Sequence, residues 1–297
     1  MNNSPIILYF KGKILSLHPK YDNKMKKTVS LSLISTALLA AGALVDPLAS
    51  CTGIQSESAL AFDSITIAKR IPLTCDSTSP SYDINIAVKY VKTGDKQRMD
   101  IINDAIAGKI FNTHDMQMSQ AIDSFVSSTS RDYLKDMLPL YKEDKRDIDK
   151  RPIYEHATDI KTYIETGKDG IVTYFISTYN FEGGAHGTQQ LMTLNFDPVT
   201  GKTITLDDVM VPGYKVRLNN ILQKSLMKHA DCKDINELHD KGYLFSMDMY
   251  PSTNFVLGTD AVTFIYNQYE IAPYALGRIM LSIPYDELGN LMKKEKE

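Results

Sequence analysis

The residues best placed by type and spacing to do chemistry lie in one run, Glu182-Gly183-Gly184-Ala185-His186-Gly187. Glycine has no Cβ and accepts positive φ, so an imidazole among three glycines can meet a backbone or a ligand closely. Three roles fit His186: a tight turn whose ring bonds back to the chain, a ligand contact, or a general base. The last needs an orienting carboxylate and a nucleophile within hydrogen-bond reach, and Glu182 is near in sequence only. Tyr266, Tyr269 and Tyr274 gather around Pro273. Their flat apolar faces and polar tips suit stacking on sugars or anchoring a protein partner; packing the corner between the last two strands suits them equally. His156 and His229 fall on apolar faces of their elements and read as packed, whereas His114 and His239 stand in polar surroundings. No histidine pair has HExxH spacing, and no Gly-x-Ser-x-Gly, P-loop or dinucleotide fingerprint occurs. No catalytic residue, metal site or cofactor is therefore assigned.

The N-terminus carries an address. Lys24, Lys26 and Lys27 precede an apolar stretch of 17 residues, Val29 to Val45, followed by Leu48-Ala49-Ser50-Cys51. A basic end, a short apolar core and small residues before a cut describe a secretory signal. Leu-Ala-Ser-Cys resembles the lipobox of bacterial lipoproteins, in which the cysteine sulfur receives a diacylglycerol and the signal is removed before it. That resemblance implies lipidation of Cys51. The alternative is a retained transmembrane helix, for which the stretch lies at the lower limit of about 17–25 residues. Residues 1–50 are thus expected as signal peptide, with 1–24 as an upstream extension before a natural start at Met25, and 51–61 as a lipidated tether.

Removing residues 1–50 leaves 247 of the 297 residues, enough for one large domain or two small ones. It also removes six lysines and two aspartates, leaving 27 basic against 34 acidic residues, a net charge of −7. Nucleic-acid binding needs a basic face, which this balance does not favour. Besides Cys51 the chain holds Cys75 and Cys232. In an oxidising compartment such a pair invites a disulfide; two buried thiols are the alternative.

The elements that must position the loop and the tyrosines read as follows. Asp63–Ile71 and Tyr82–Val91 alternate as strands, the second with Tyr82, Ile84, Ile86, Val88 and Tyr90 on one face. Met99, Ile102, Ile106 and Ile110 recur at helical spacing, as do Met118, Ile122, Phe125, Tyr133, Met137 and Tyr141. Pro139 is expected to kink or end that second helix. After the charged run Lys142–Arg151 the period becomes two, from Tyr154 to Glu165. Ile171–Phe181 is apolar on both faces, as an interior strand should be. Gln189–Phe196 and Lys202–Leu206 read as strands joined by the turn Asp197–Gly201. An amphipathic helix near 214–230, a hairpin of Asn254–Leu257 with Val262–Tyr266, a strand Arg278–Ile283 and a helix from Tyr285 complete the chain. Strands and helices are grouped rather than alternating, which argues α+β: antiparallel sheets with helices on one face. The chain forms either one compact unit or two intimately packed subdomains, 62–187 and 188–297.

Three segments carry a further resemblance: Tyr179-Asn180-Phe181-Glu182-Gly183-Gly184-Ala185-His186-Gly187, then Asn195-Phe196-Asp197-Pro198-Val199-Thr200-Gly201-Lys202, and Phe264-Ile265-Tyr266-Asn267-Gln268-Tyr269-Glu270-Ile271-Ala272-Pro273-Tyr274-Ala275. In that order and spacing they resemble the extracytoplasmic domain pair of the lysozyme-sensing anti-sigma factor RsiV and the non-catalytic N-terminal region of the peptidoglycan deacetylase PdaC. The resemblance covers most of residues 62–292. It implies a sensing or binding module facing the cell wall, and for this chain a fold and a binding surface rather than an activity. The expectation is a non-enzymatic lipoprotein of the bacterial envelope, extracytoplasmic, at the outer membrane, facing the periplasm or the surface. Its ligand would be a peptidoglycan fragment, a lysozyme-like protein or an envelope partner, met by Glu182, Gly183, Gly184, His186, Tyr266, Tyr269 and Tyr274. A wall hydrolase or deacetylase using His186, and a purely structural lipoprotein, are the alternatives.

Overall fold

The computed structural model describes residues 6–10, 13–17, 60–144 and 147–294. The expected signal core, the Leu-Ala-Ser-Cys51 junction and nearly all of the tether lie outside the described residues. Near the N-terminus, β1 (Ile6–Phe10) and β2 (Lys13–Leu17) pair antiparallel, Ile6 with Leu17 and Phe10 with Lys13. The rest of the described chain belongs to a separate compact unit, Ile54–Glu297.

That unit is α+β. Its larger sheet has the order β3 (Ala61–Pro72), β4 (Ser81–Thr93), β5 (His156–Thr166), β6 (Val172–Glu182), β7 (Thr188–Phe196). All neighbours run antiparallel except β4 and β5, which are parallel. A parallel pair needs a crossover, and α1 (Lys96–Phe111) and α2 (Met118–Asp144) supply it. Asp95 caps α1 by accepting from the Arg98 N–H, and Asn112 ends it in the left-handed conformation. Ile84, Ile86 and Val88 of β4 pack with Ile102, Ile106 and Ile122 of the two helices. β6 is buried on both faces, as its sequence requires. Tyr174 and Ile176 join the helical core, while Phe175 meets Leu191 and Ile265 on the other side.

A three-stranded sheet, ordered β10 (Ile279–Pro284), β9 (Ala261–Tyr266), β8 (Phe255–Leu257), supports a second core. The stripe Leu218, Leu222 and Leu226 of α4 (Tyr214–His229) packs there with Phe264, Tyr266, Leu281 and Ile283. Short helices complete this half: α3 (Leu206–Val209), α5 (Ile235–Asp240) and α6 (Tyr285–Leu288).

Several expectations change. The boundary near 187 falls in the turn between β6 and β7, inside one sheet; the two cores divide instead between Phe196 and Leu206. α2 continues through Pro139. Pro139 and Lys135, whose carbonyl loses its helical donor, are both exposed, so water can satisfy that group. Lys202–Leu206 forms no strand, only a bridge between Phe196 and Thr203, because Gly201 turns with positive φ and Thr205 already begins a capping box with Asp208. Cys75 and Cys232 are both free thiols: Cys75 is exposed in the loop between β3 and β4, and Cys232 packs against the second core. His229 is exposed in the last turn of α4, past the end of the leucine stripe. Among the described residues no helix is long and apolar enough to cross a membrane.

Candidate functional site

The glycine-rich run is the turn from β6 into β7. Gly183 has φ +79°, and a Cβ there would lie 2.5 Å from the Ile153 carbonyl oxygen, so the chain can pass only as glycine. Gly187 is buried under the Tyr179 ring. Between them the chain projects His186 outward.

His186 meets a residue 88 positions later. Its ring stacks on Tyr274, centroids 4.0 Å apart and planes 21° from parallel. Its Nδ1 lies 3.3 Å from the Gly187 carbonyl, and the Tyr274 hydroxyl donates to the same oxygen at 3.4 Å. Tyr269 extends the row, its ring 5.7 Å from that of Tyr274. It stands at φ +68° and is 55% exposed. The turn holding both tyrosines is closed by backbone bonds from Glu270 to Asn267 and from Tyr269 to Ala272. The outcome is an aromatic row, His186–Tyr274–Tyr269, built from two loops, with His186 and Tyr269 exposed and Tyr274 half-buried between them.

The other expected residues do not join it. Tyr266 is fully buried; its hydroxyl donates to the Tyr250 carbonyl at 2.6 Å, and burial pushes its phenol well above the usual range. It lies two and four positions after Phe264 and Val262, on the core face of β9. Glu182 is exposed at the end of β6, in register with His156 rather than bonded to His186. Among the described residues no carboxylate pairs with His186, and no group of three or more His, Cys, Asp or Glu side chains gathers to hold a metal ion.

Two polar constellations stand apart from the row, of which the sequence points only to the packing of His156 on an apolar face. The first joins the two sheets. Asn267 closes on the outer edge of β7, its Oδ1 accepting from the Leu191 N–H at 2.8 Å and its Nδ2 donating to the Leu191 carbonyl at 3.1 Å. Asn254 Nδ2 reaches that carbonyl at 2.7 Å, and Asn195 Nδ2 donates to the Phe255 carbonyl at 2.8 Å. An edge strand leaves N–H and C=O groups unpaired; here side-chain amides replace the missing strand. Asn195 and Asn267 both stand in the distinctive segments quoted above, and their role is architectural.

The second constellation is His156, wedged between Tyr82 (5.6 Å) and Tyr133 (5.1 Å) with its Nε2 buried and unpartnered. Burial pulls its pKa below the ordinary 6.5, while the Glu182 charge and a bond to the Ile153 backbone act the other way. The native state therefore binds fewer protons than the unfolded chain as pH falls through 6.5, and stability falls with it. The urea midpoint should drop between pH 7.5 and 5.5, and His156→Gln should flatten that drop. An unchanged slope in the variant would remove His156 as the cause.

The comparisons with known proteins stop at the same architectural level. A search of the curated proteins finds no match. The crystal structure of a DUF3298 family member from Bacteroides fragilis is similar with a TM-score of 0.74 at 27% identity, over 80% of this chain and 95% of that one. A DUF3298 family protein from Pseudomonas aeruginosa is similar with a TM-score of 0.57 at 20% identity, over 80% of this chain and 96% of that one, a likeness of fold alone. Residues 207–286 match the family model DUF3298, a protein of unknown function. They run from α3 into α6, and so include Tyr269 and Tyr274 but not His186. Residues 207–286 are thus similar to the DUF3298 family model, within a fold similar to those of two solved DUF3298 proteins.

Proposed function

We propose that this chain is a lipid-anchored binding module of the bacterial envelope, extracytoplasmic and non-enzymatic, whose ligand is a glycan of the cell wall. The observation that carries this reading is the row His186–Tyr274–Tyr269. The exposed rings of His186 and Tyr269, braced on half-buried Tyr274, offer apolar area at little cost in side-chain entropy and suit the C–H faces of sugars. The imidazole contacts a ring and a backbone carbonyl, an arrangement that positions it rather than activates it. The lipobox at Leu48–Cys51 supports the anchor, and the resemblance to RsiV and PdaC supports a surface turned to the wall.

The test uses the full-length chain in detergent, pelleted with purified peptidoglycan sacculi, the sugars then analysed by mass spectrometry. The expected result is co-sedimentation with unaltered sugars, weakened about tenfold by Tyr274→Ala, as for the loss of one aromatic anchor worth about 1.4 kcal/mol. Cut or deacetylated sugars would make the protein an enzyme and His186 the first residue to replace. A wild-type chain that stays in the supernatant refutes the glycan reading; lysozyme added to that supernatant then tests for a protein ligand.

A further inference from the structure

The turn that presents Tyr269 also borders a cleft of about 390 Å³. It lies where the outer edge of β7 meets the second sheet, with Lys109, Gln190, Met192, Tyr250, Asn254 and Glu270 in its wall. That volume falls within the roughly 300–1,000 Å³ of small-molecule sites. Asn254 is committed: its Nδ2 donates to the Leu191 carbonyl and its Oδ1 lies 2.9 Å from the Thr193 hydroxyl. This fixes the floor. Around it stand groups without such commitments. The Gln190 side chain is exposed and makes no hydrogen bond among the described residues. The Glu270 carboxylate has one long contact, 3.4 Å from Asn267 Nδ2, and forms no ion pair with Lys109. Tyr250, 36% exposed, is held edge-on by the buried ring of Tyr266 at 5.6 Å and 80°.

A planar amide, a carboxylate and an ammonium around one tyrosine face make a specific mixture. A charged ligand would call for one sign of charge, and an apolar ligand for a dry wall. Alternating hydroxyl donors and acceptors with an apolar C–H face match a sugar. An acetamido substituent adds an amide to pair with Gln190 and a methyl to lie on Met192.

We propose that this cleft is a binding subsite for an N-acetylated amino sugar within an oligosaccharide. Tyr250 covers its C–H face, Glu270 accepts from its hydroxyls and Gln190 pairs with its acetamido group. The subsite rests on the glycan reading above and deepens it. Asn267–Tyr274 supplies both the cleft wall and the aromatic row, and the Gln189 N–H bonds to Gln268 Oε1 across the junction at 3.4 Å. One oligosaccharide can therefore engage both along a continuous surface.

The probe is chitotetraose, titrated into the full-length chain in detergent and followed by tyrosine emission, since the protein has 17 tyrosines and no tryptophan. Saturable binding is expected, with none for maltotetraose, which lacks acetamido groups. Glu270→Gln and Gln190→Ala should each weaken it about tenfold, as for the loss of one polar anchor. Gln190 is exposed and makes no internal bond, so its variant tests the cleft without endangering the fold. Equal binding of maltotetraose overturns the acetamido assignment. If chitotetraose does not bind, or binds the cleft variants as it does the wild type, while sacculi still pellet in a Tyr274-dependent way, the subsite is wrong and the binding module stands. If neither sacculi nor chitotetraose bind, both fall together.

Discussion

An Asn267→Ala chain should unfold with about 3 kcal/mol less free energy than the wild type, read from urea denaturation by linear extrapolation. The side chain is only 7% exposed and faces Leu191, itself 4% exposed. Alanine leaves the Leu191 N–H without its acceptor at 2.8 Å, in a position water does not reach. Arg278 loses as well, because its Nε donates to the same Asn267 oxygen at 3.3 Å, and the guanidinium is buried enough that desolvation already lowers its pKa. The Leu191 carbonyl keeps Asn254 and limits the damage. A buried donor stripped of its partner costs about 1–3 kcal/mol, more when a charged group shares the loss. A measured change under about 1 kcal/mol would mean that the junction is held without Asn267, by the apolar contact of Phe175, Leu191 and Ile265 together with the Asn254 and Asn195 amides.

Replacement of Cys51 with serine should abolish lipid attachment altogether. In cells fed labelled palmitate, the wild-type chain should carry the label at the mass of residues 51–297. The Cys51→Ser chain should carry none and accumulate at precursor mass, since in lipoproteins the sulfur must be modified before the signal is removed. Each buried methylene adds about 0.8 kcal/mol of membrane affinity, so several acyl chains give stable anchoring. Equal labelling of both chains would sink the lipobox reading, and a retained apolar helix would take its place.

The elements legible in the sequence were those whose burial follows one period. β4 alternates because one face covers the helices, and α4 shows its leucine stripe because one side meets the second sheet. α5 was missed: its six residues bury Leu238 alone, too few for a helical period to show. The parallel pairing of β4 with β5 was also missed, since alternation along a strand says nothing of its neighbour's direction. At the site, His186 and Tyr274 each stand out by residue type and setting, yet nothing in two residues 88 positions apart shows that their rings touch. The place of Tyr266 is readable in the sequence after all: Val262, Phe264 and Tyr266 share a period-two face, which puts the third with the first two in the core and not on the surface. The asparagines stood in the most distinctive segments without a role, because an amide that replaces a missing strand has no signature until the open edge is seen.

The parallel pair has a consequence for how the chain is assembled. Every other strand contact in the larger sheet joins neighbours along the chain, linked by a turn or short loop. β4 and β5 meet across 74 positions, from Asn85 to Asp159. Closing a flexible loop of that length costs about 4 kcal/mol in chain entropy beyond a constant, against roughly 2 for a ten-residue turn. That join has no local turn to hold it; its register is kept by bonds across the seam, Tyr82 to Thr158 at 2.6 Å and Lys89 N–H to Thr162 at 2.8 Å, and by α1 and α2 packing on Ile84, Ile86 and Val88. Loosening those helices removes the apolar half of that support, and the seam between the β3–β4 hairpin and the β5–β6–β7 meander is the one place in the sheet where no turn rejoins the strands.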